Sequence, residues 1–354
     1  MTEIYNRYYH SNLKQNFLCL FFYANMKISP LNISFKGYDA APLKSVFLEK
    51  ATCSPIISEM QQIAKAEDFR ICMATDFLKW AQDDKTIIER DNKPHLIGNV
   101  RVDEGFMHDL KRTYSISASY AKTFVTGGNS FIGKYPNGEK WLLIGADEIR
   151  PKKTKTDIAK EYGIDEKNIF TIPQQYYHLD MFIRPIGYPY VLVNNPKLVK
   201  QKINKMDMRK FPYDHIQLRN NFNDFERKRV SSEYSSCDET IKALKEAGFI
   251  PIEVAGVFGS EINFLNAIVN KHQNGSISYI TNSTACSNTL ISQLEQDFEK
   301  ELREKVSNLD KVYFISGDTE KGKSLLNYMM YNLSNKGGGL HCMSLEEPAF
   351  DKWV

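Results

Sequence analysis

The stretch GDTEKGKS at residues 317–324 carries every letter of a phosphate-binding loop, and GGGLHCMS follows it at 337–344. The first would make the chain a nucleotide hydrolase; the second would set a nucleophilic thiol behind three glycines. The near context of the first segment fits. KVYFIS reads as a strand before it and LLNYMMYNL as a helix after it, with Leu325, Leu326, Met329, Met330 and Leu333 on one face. The wider context does not fit. Such a domain needs further parallel strands and normally carries its metal-binding Asp downstream, whereas 30 residues remain after Ser324. The defining letters also arise by chance at ordinary composition, so the stretch reads as a surface turn. A nucleotide hydrolase using Lys323 is kept as a lesser alternative.

Bulk properties narrow the field without choosing within it. The 354 residues fit one large domain or two ordinary ones. Forty-six Lys and Arg against 43 Asp and Glu leave a net charge of +3, which gives no electrostatic case for nucleic acid, and no basic helix reads as a membrane surface element. No apolar run approaches a bilayer span. The run FLCLFFYA at 17–24 lacks the flanks of a signal peptide, since Glu3 precedes it and no small-residue cleavage site follows. Residues 1–38 therefore read as an N-terminal extension, with Met26 as a candidate second start, and 39–354 as one catalytic domain. Six cysteines, at 19, 53, 72, 237, 286 and 342, form no C-x-x-C pair. They read as free thiols in a reducing, cytoplasmic setting.

Upstream of the two quoted segments one plan recurs: an amphipathic helix, a polar turn, then an apolar strand. It appears at 54–75, 156–173, 238–256 and 288–317. In the third copy Ile241, Leu244, Ala247 and Phe249 keep helical spacing before the alternating FIPIEV. EKWLLIGA and YPYVLVNN read as hairpin strands between the copies. Polar, reactive stretches follow each strand: DFLKWAQDD, QQYYHLDMFIRP, VFGSEINFLNA and the region quoted first. Modules arranged around a shared centre would bring those ends together; an open α/β sheet also binds ligands at its strand ends. Periodicity leaves both open.

The glycines ahead of His341 and Cys342 allow close backbone approach and positive φ, which suits fixing a thiol in a pocket. A cysteine attacks as thiolate and needs a base or a positive environment. HLDMF at 178–182 offers both kinds of help. On a strand His178 and Asp180 would share a face, the imidazole moving a proton and the carboxylate holding a cation. His341 adjoins Cys342 on a segment read as extended, so it is expected to face away and to be structural. FVTGGNSF at 124–131 and KWAQDD at 79–84 add Gly127, Gly128, Asn129 and Asp83.

WAQD (80–83), TGGN (126–129), HLD (178–180) and GGGLHC (337–342), in this order, resemble the motif set of the guanidino-group-modifying superfamily, the penteins. The agmatine deiminases and bacterial peptidyl-arginine deiminases are the most similar branch, and INFLNA at 262–267 resembles their N-F-x-x-N segment. The resemblance runs from about residue 40 to the end. It implies an α/β five-bladed αβ propeller of ββαβ modules around a central site, and cysteine-dependent hydrolysis of a guanidino group to a ureido product and ammonia through a thiouronium intermediate. In that scheme Cys342 is the nucleophile, His178 the acid and base, and Asp180 and Asp83 hold the guanidinium. Trp80, Asn129, Gly128, Glu148 and Gly339 would line the substrate, with Asp147 the alternative to Glu148. The chemistry calls for no metal and no organic cofactor. The expected partner is a small-molecule or peptidyl guanidine, with no nucleic acid or membrane, and a homodimer is compatible with it. Two departures stand out: Thr126 occupies a position where the family carries an acid, and Gln82 one where it carries Arg. A pentein retained as a guanidine-binding module, and an amidinotransferase, are the alternatives.

Overall fold

The structure, a computed structural model, describes residues 42–49, 52, 54–74, 80–99, 104–284, 288–317, 329, 333 and 337–349. The expected N-terminal extension at 1–38, and residues 318–324 of the phosphate-loop match including Lys323, lie outside them.

Along the chain, β1 (Leu43–Glu49) leads through α1 (Ser54–Ala66) to β2 (Arg70–Ala74). After the short helical turn α2 (Ala81–Asp84), β3 (Lys85–Arg90) and β4 (Lys93–Gly98) form a hairpin, and α3 (Glu104–Tyr114) crosses to β5 (Ser117–Tyr120). The same order repeats with β6 (Ser130–Lys134), β7 (Lys140–Gly145), α4 (Lys155–Tyr162) and β8 (Ile169–Ile172). It repeats again with β9 (Ile183–Gly187), β10 (Tyr190–Asn194), three helices α5 (Pro196–Lys205), α6 (Pro212–Ser231) and α7 (Cys237–Glu246), and β11 (Ile250–Val254). Last come β12 (Ile268–Lys271), β13 (Ile277–Asn282), α8 (Asn288–Lys305) and β14 (Leu309–Ile315), and then β15 (Ser344–Pro348) returns to pair with β1.

The described residues thus form five three-stranded sheets, ordered β3-β4-β5, β6-β7-β8, β9-β10-β11, β12-β13-β14 and β15-β1-β2. In each, the first strand runs antiparallel to the middle one and the third parallel to it, as a helical crossover requires. This is the ββαβ propeller that the motif resemblance implied. It holds five copies where the periodicity gave four. The missed copy is α3 and β5, whose strand SASY is short, polar and only partly buried and so carries no apolar signal.

Local signals place the elements. Thr154 and Asp157 form a reciprocal capping box at the start of α4, and Gly163 (φ 62°) ends it in the left-handed region. Ser236 and Glu239 cap α7 the same way, and its Ile241 and Leu244 are buried beside Phe249 as the spacing predicts. Trp141 of β7 is fully buried edge-on to Phe249, with ring centroids 5.0 Å apart. No helix among the described residues is long and apolar enough to cross a membrane.

The ring closes between chain ends. Fully buried Glu347 on β15 accepts from Lys44 Nζ at 2.7 Å and from the Ser45 hydroxyl, both on β1. Glu59 of α1 accepts from the Ser316 N–H at 2.9 Å and the Gly317 N–H at 3.1 Å. The first amide of the phosphate-loop match is therefore occupied by a carboxylate, an unsuitable neighbour for phosphate. Glu347→Ala should lower stability by about 2–3 kcal/mol, because it strips a buried acceptor from two donors. Denaturant unfolding at constant m-value checks this.

Candidate active site

Each of the five motifs leads directly into the first strand of a sheet: WAQDD into β3, TGGN into β6, HLDMF into β9, INFLNA into β12 and GGGLHCM into β15. Those strands meet at the centre. Residues from β3, β6 and β15 (Thr86, Ser130 and Glu346) line one cavity of about 40 Å³, with Gln82 and His341. Arg184 of β9 reaches Glu346 at 3.3 Å and stacks over Phe131 of β6. Equivalent positions in separate modules therefore converge, although they lie far apart in sequence.

Asp180 sits at the focus with no exposed surface. Its Oδ2 accepts from His341 Nδ1 at 2.9 Å and from the Cys342 thiol at 3.1 Å. Burial raises the Asp180 carboxyl pKa, but the His341 hydrogen bond, the histidines at 341 and 178 and the thiol donor outweigh it, leaving the group below the usual carboxylate range. Cys342 is 3% exposed. Burial, then the charges of Asp180 and Asp83, push its thiol well above the ordinary range, so it is neutral and donates to Asp180.

The short backbone segments are turns rather than strands, and this corrects two expectations. His178 is extended but Leu179–Met181 form a 3₁₀ turn, so strand alternation is not what brings His178 and Asp180 together. The segment at 340–343 is likewise a turn, so His341 does not face away from Cys342; both reach the same Asp180 oxygen. Gly128 explains the convergence better. A Cβ there would stand 2.8 Å from His178 Nδ1, and 3.3 Å from both Asp180 Oδ2 and Asp83 Oδ1. Only a residue without a side chain lets these three groups close over it.

Asp83 faces the same point, its Oδ1 3.7 Å from His178 Nδ1. Burial lifts its carboxyl to about 6, with His178 opposing and Asp180, Asp84 and Glu148 adding to the rise. Because the group binds its proton more tightly folded than at its ordinary 3.8, folding loses stability as pH rises between these values. A bound cation would reverse that penalty. Asp83 Oδ1, Asp180 Oδ1 and the Tyr177 hydroxyl are buried without a hydrogen-bond partner, an arrangement that costs free energy unless a donor arrives.

The remaining expected residues take other places. Trp80 is half-buried, and its ring lies against Gly338, where an added Cβ would come within 3.0 Å. Asn129, 1% exposed, donates to Asp147 at 2.6 Å and Glu148 at 3.3 Å and accepts from the Leu179 N–H at 3.2 Å. It ties three motif turns together. Glu148 is buried, accepts from the Thr126 N–H at 3.4 Å and pairs with Lys153. An acid thus stands beside Thr126, supplied from another turn and already paired. Gly339 faces Asn266 and Asn282, where a Cβ would come within 2.6–2.8 Å.

The sequence reading assigned those asparagines no role. Asn266 donates to Cys342 Sγ at 3.1 Å and accepts from the His341 and Cys342 amides at 2.9 and 3.3 Å. Asn263 holds the Met181 carbonyl at 2.9 Å, and Asn282 accepts from the Leu340 amide at 2.8 Å. The N-F-x-x-N spacing flagged the segment holding Asn263 and Asn266; nothing flagged Asn282.

No family model matches the sequence, and no curated protein matches it. Solved structures do match in fold. Agmatine deiminase of C. jejuni aligns over 87% of this chain and 94% of its own at 13% identity, with a TM-score of 0.53. The cyanobacterial arginine dihydrolase ArgZ aligns over 86% of this chain and 40% of its own at 13% identity and a TM-score of 0.44. A mutant of the Pseudomonas aeruginosa enzyme DDAH complexed with citrulline aligns over 86% and 100% at 11% identity and 0.42. The chain has the pentein fold, shared with the C. jejuni agmatine deiminase.

Asn266→Ala should release both amides and the sulfur at once. Hydrogen exchange at His341 and Cys342 is expected to speed at least about tenfold, each lost hydrogen bond counting about 1 kcal/mol.

Proposed function

We propose that the protein is a cysteine-dependent guanidine deiminase, a hydrolase acting on the carbon–nitrogen bond of a linear amidine. The observation that carries this reading is the pair of buried carboxylate oxygens without a hydrogen bond, Asp83 Oδ1 and Asp180 Oδ1, beside a thiol that already touches Asp180. A guanidinium is flat, cationic and rich in N–H donors. It supplies what both oxygens lack and offers its central carbon to the sulfur.

The order of events follows from the charges. The resting thiol is held neutral between two acids. The incoming cation offsets those acids and makes ionisation of Cys342 favourable where it was not, and the thiol proton passes to His178, directly or through water. The thiolate attacks the guanidinium carbon, forming a C–S bond. The C–N bond then breaks, with the pair leaving on nitrogen, and His178 delivers the proton that lets it depart as ammonia. A thiouronium remains on Sγ. His178 takes a proton from water, the hydroxide adds to the carbon, and collapse expels the thiolate, leaving the ureido product. Each group keeps the role its chemistry allows: carboxylates hold, imidazole moves protons, sulfur bonds.

The test is an assay of ureido product with agmatine, arginine, methylarginines and an arginine-containing peptide. Product should form with at least one, and Cys342→Ala should reduce it by at least about 10³-fold. Stable guanidine binding without product from any of them would instead mark a binding module. The acid limb of kcat/KM should fall near pH 6, since Asp83 must be ionised to hold the cation. Asp83→Asn should raise KM about tenfold or more and remove that limb. Gly128→Ala should cut turnover about a hundredfold while leaving the fold intact, because its methyl group would displace His178.

A further inference from the structure

His341 was expected to face away from Cys342 and to be structural; its ring instead reaches the acid that holds the thiol. The ring is 2% exposed and lies between two acids, Nδ1 2.9 Å from Asp180 Oδ2 and Nε2 3.7 Å from Glu346 Oε1. Behind Glu346 stands the guanidinium of Arg184, fully buried and 3.3 Å away. Phe131 covers the ring at 5.6 Å between centroids and also carries the Arg184 guanidinium. Arg184, Glu346, His341, Asp180 and Cys342 thus form a chain of neighbouring acids and bases ending at the sulfur.

We infer that His341 is a positioning residue: through its Nδ1–H it shares the charge of Asp180 Oδ2 with the thiol and so governs how readily Cys342 ionises, while Glu346, anchored by Arg184, keeps the ring in place. The reasoning is stoichiometric. An ionised carboxylate only accepts, so both His341 Nδ1 and Sγ must donate to one oxygen. Two donors on one oxygen compete for its charge. With His341 in place, the oxygen pulls less strongly on the thiol proton, and the thiolate, once formed, faces a partly compensated acid. Removing the imidazole leaves the full carboxylate charge against the sulfur. The titratable and charged groups around this pair are Asp83, His178 and Tyr177, with Glu346 and Arg184 beyond the imidazole. This rests on the assignment of Cys342 and Asp180 proposed above, but its readout does not require turnover.

The experiment follows alkylation of the Cys342 peptide by neutral iodoacetamide, resolved by mass spectrometry, across pH. Failure of the deiminase reading would appear as absent ureido product in the unmodified protein, a separate measurement. His341→Ala should slow alkylation of Cys342 at pH 8 by about tenfold, as the loss of one hydrogen bond to the acid implies. His341→Asn, whose amide nitrogen takes the place of Nδ1, should stay within about twofold of the parent. In an Asp180→Asn background His341→Ala should change nothing further, because the oxygen it acts through no longer carries charge. The proposal is overturned if His341→Ala leaves the profile unmoved, or if its effect persists unchanged in Asp180→Asn. Should His341→Ala fail to fold, a tenfold loss in correctly folded His341→Asn would overturn it equally, since that variant retains the donor.

Discussion

The buried carboxylate of Asp180 is the constraint around which the centre is organised. A charged group with no exposed surface is stable only when donors surround it. Two donors, from His341 and Cys342, come from the far end of the chain. The backbone beneath Asp180 is held by Asn266 and Asn263 from yet another module. Meeting one acid's needs therefore demands that three modules arrive at fixed distances. The propeller provides this, because the same turn in each module opens on the same axis. Ring closure by Glu347 on β1 matters to the site for the same reason: β15 begins two residues after Cys342.

Much of this was legible in the sequence because close approach selects glycine. Gly128, Gly338 and Gly339 each face a neighbour within about 3 Å of where a Cβ would be, and each stood in a motif that drew attention. The hydrophobic strands β7 and β10 and the amphipathic helices were equally readable, since burial leaves a periodic local mark. Three things were not. Strand β5 pairs by its backbone and needs no apolar residues. The turn at 340–343 reverses the direction that alternation assigns to His341, and turns of this kind are set by the long-range bonds of Asn266 and Asn282. Asn282 itself ends a strand whose other residues look ordinary. Its function lies in a contact 58 residues away.

The two sequence departures also acquire a physical context. At Thr126, where the motif resemblance would put an acid, Glu148 lies against the amide and contributes to raising the Asp83 pKa. The negative field at the site is thus partly rebuilt from a neighbouring turn, although Glu148 is also paired with Lys153. Gln82 donates its N–H to the Cys342 carbonyl at 3.2 Å and lines the central cavity.

That balance bears on why the thiol is held neutral. A permanently ionised Cys342 would need a resident positive partner, and such a partner would repel a guanidinium. Here the nearest ionisable groups in front of the sulfur are acids, so the resting site is acidic overall and poorly suited to a thiolate. It is well suited to a planar cation. On the proposed reading, activation depends on the ligand bringing the missing charge, which ties reactivity to occupancy and spares the free thiol from adventitious oxidants. A site built this way discriminates by charge before shape: a neutral urea of the same outline satisfies the hydrogen bonds but leaves the acids uncompensated, and so leaves the sulfur protonated.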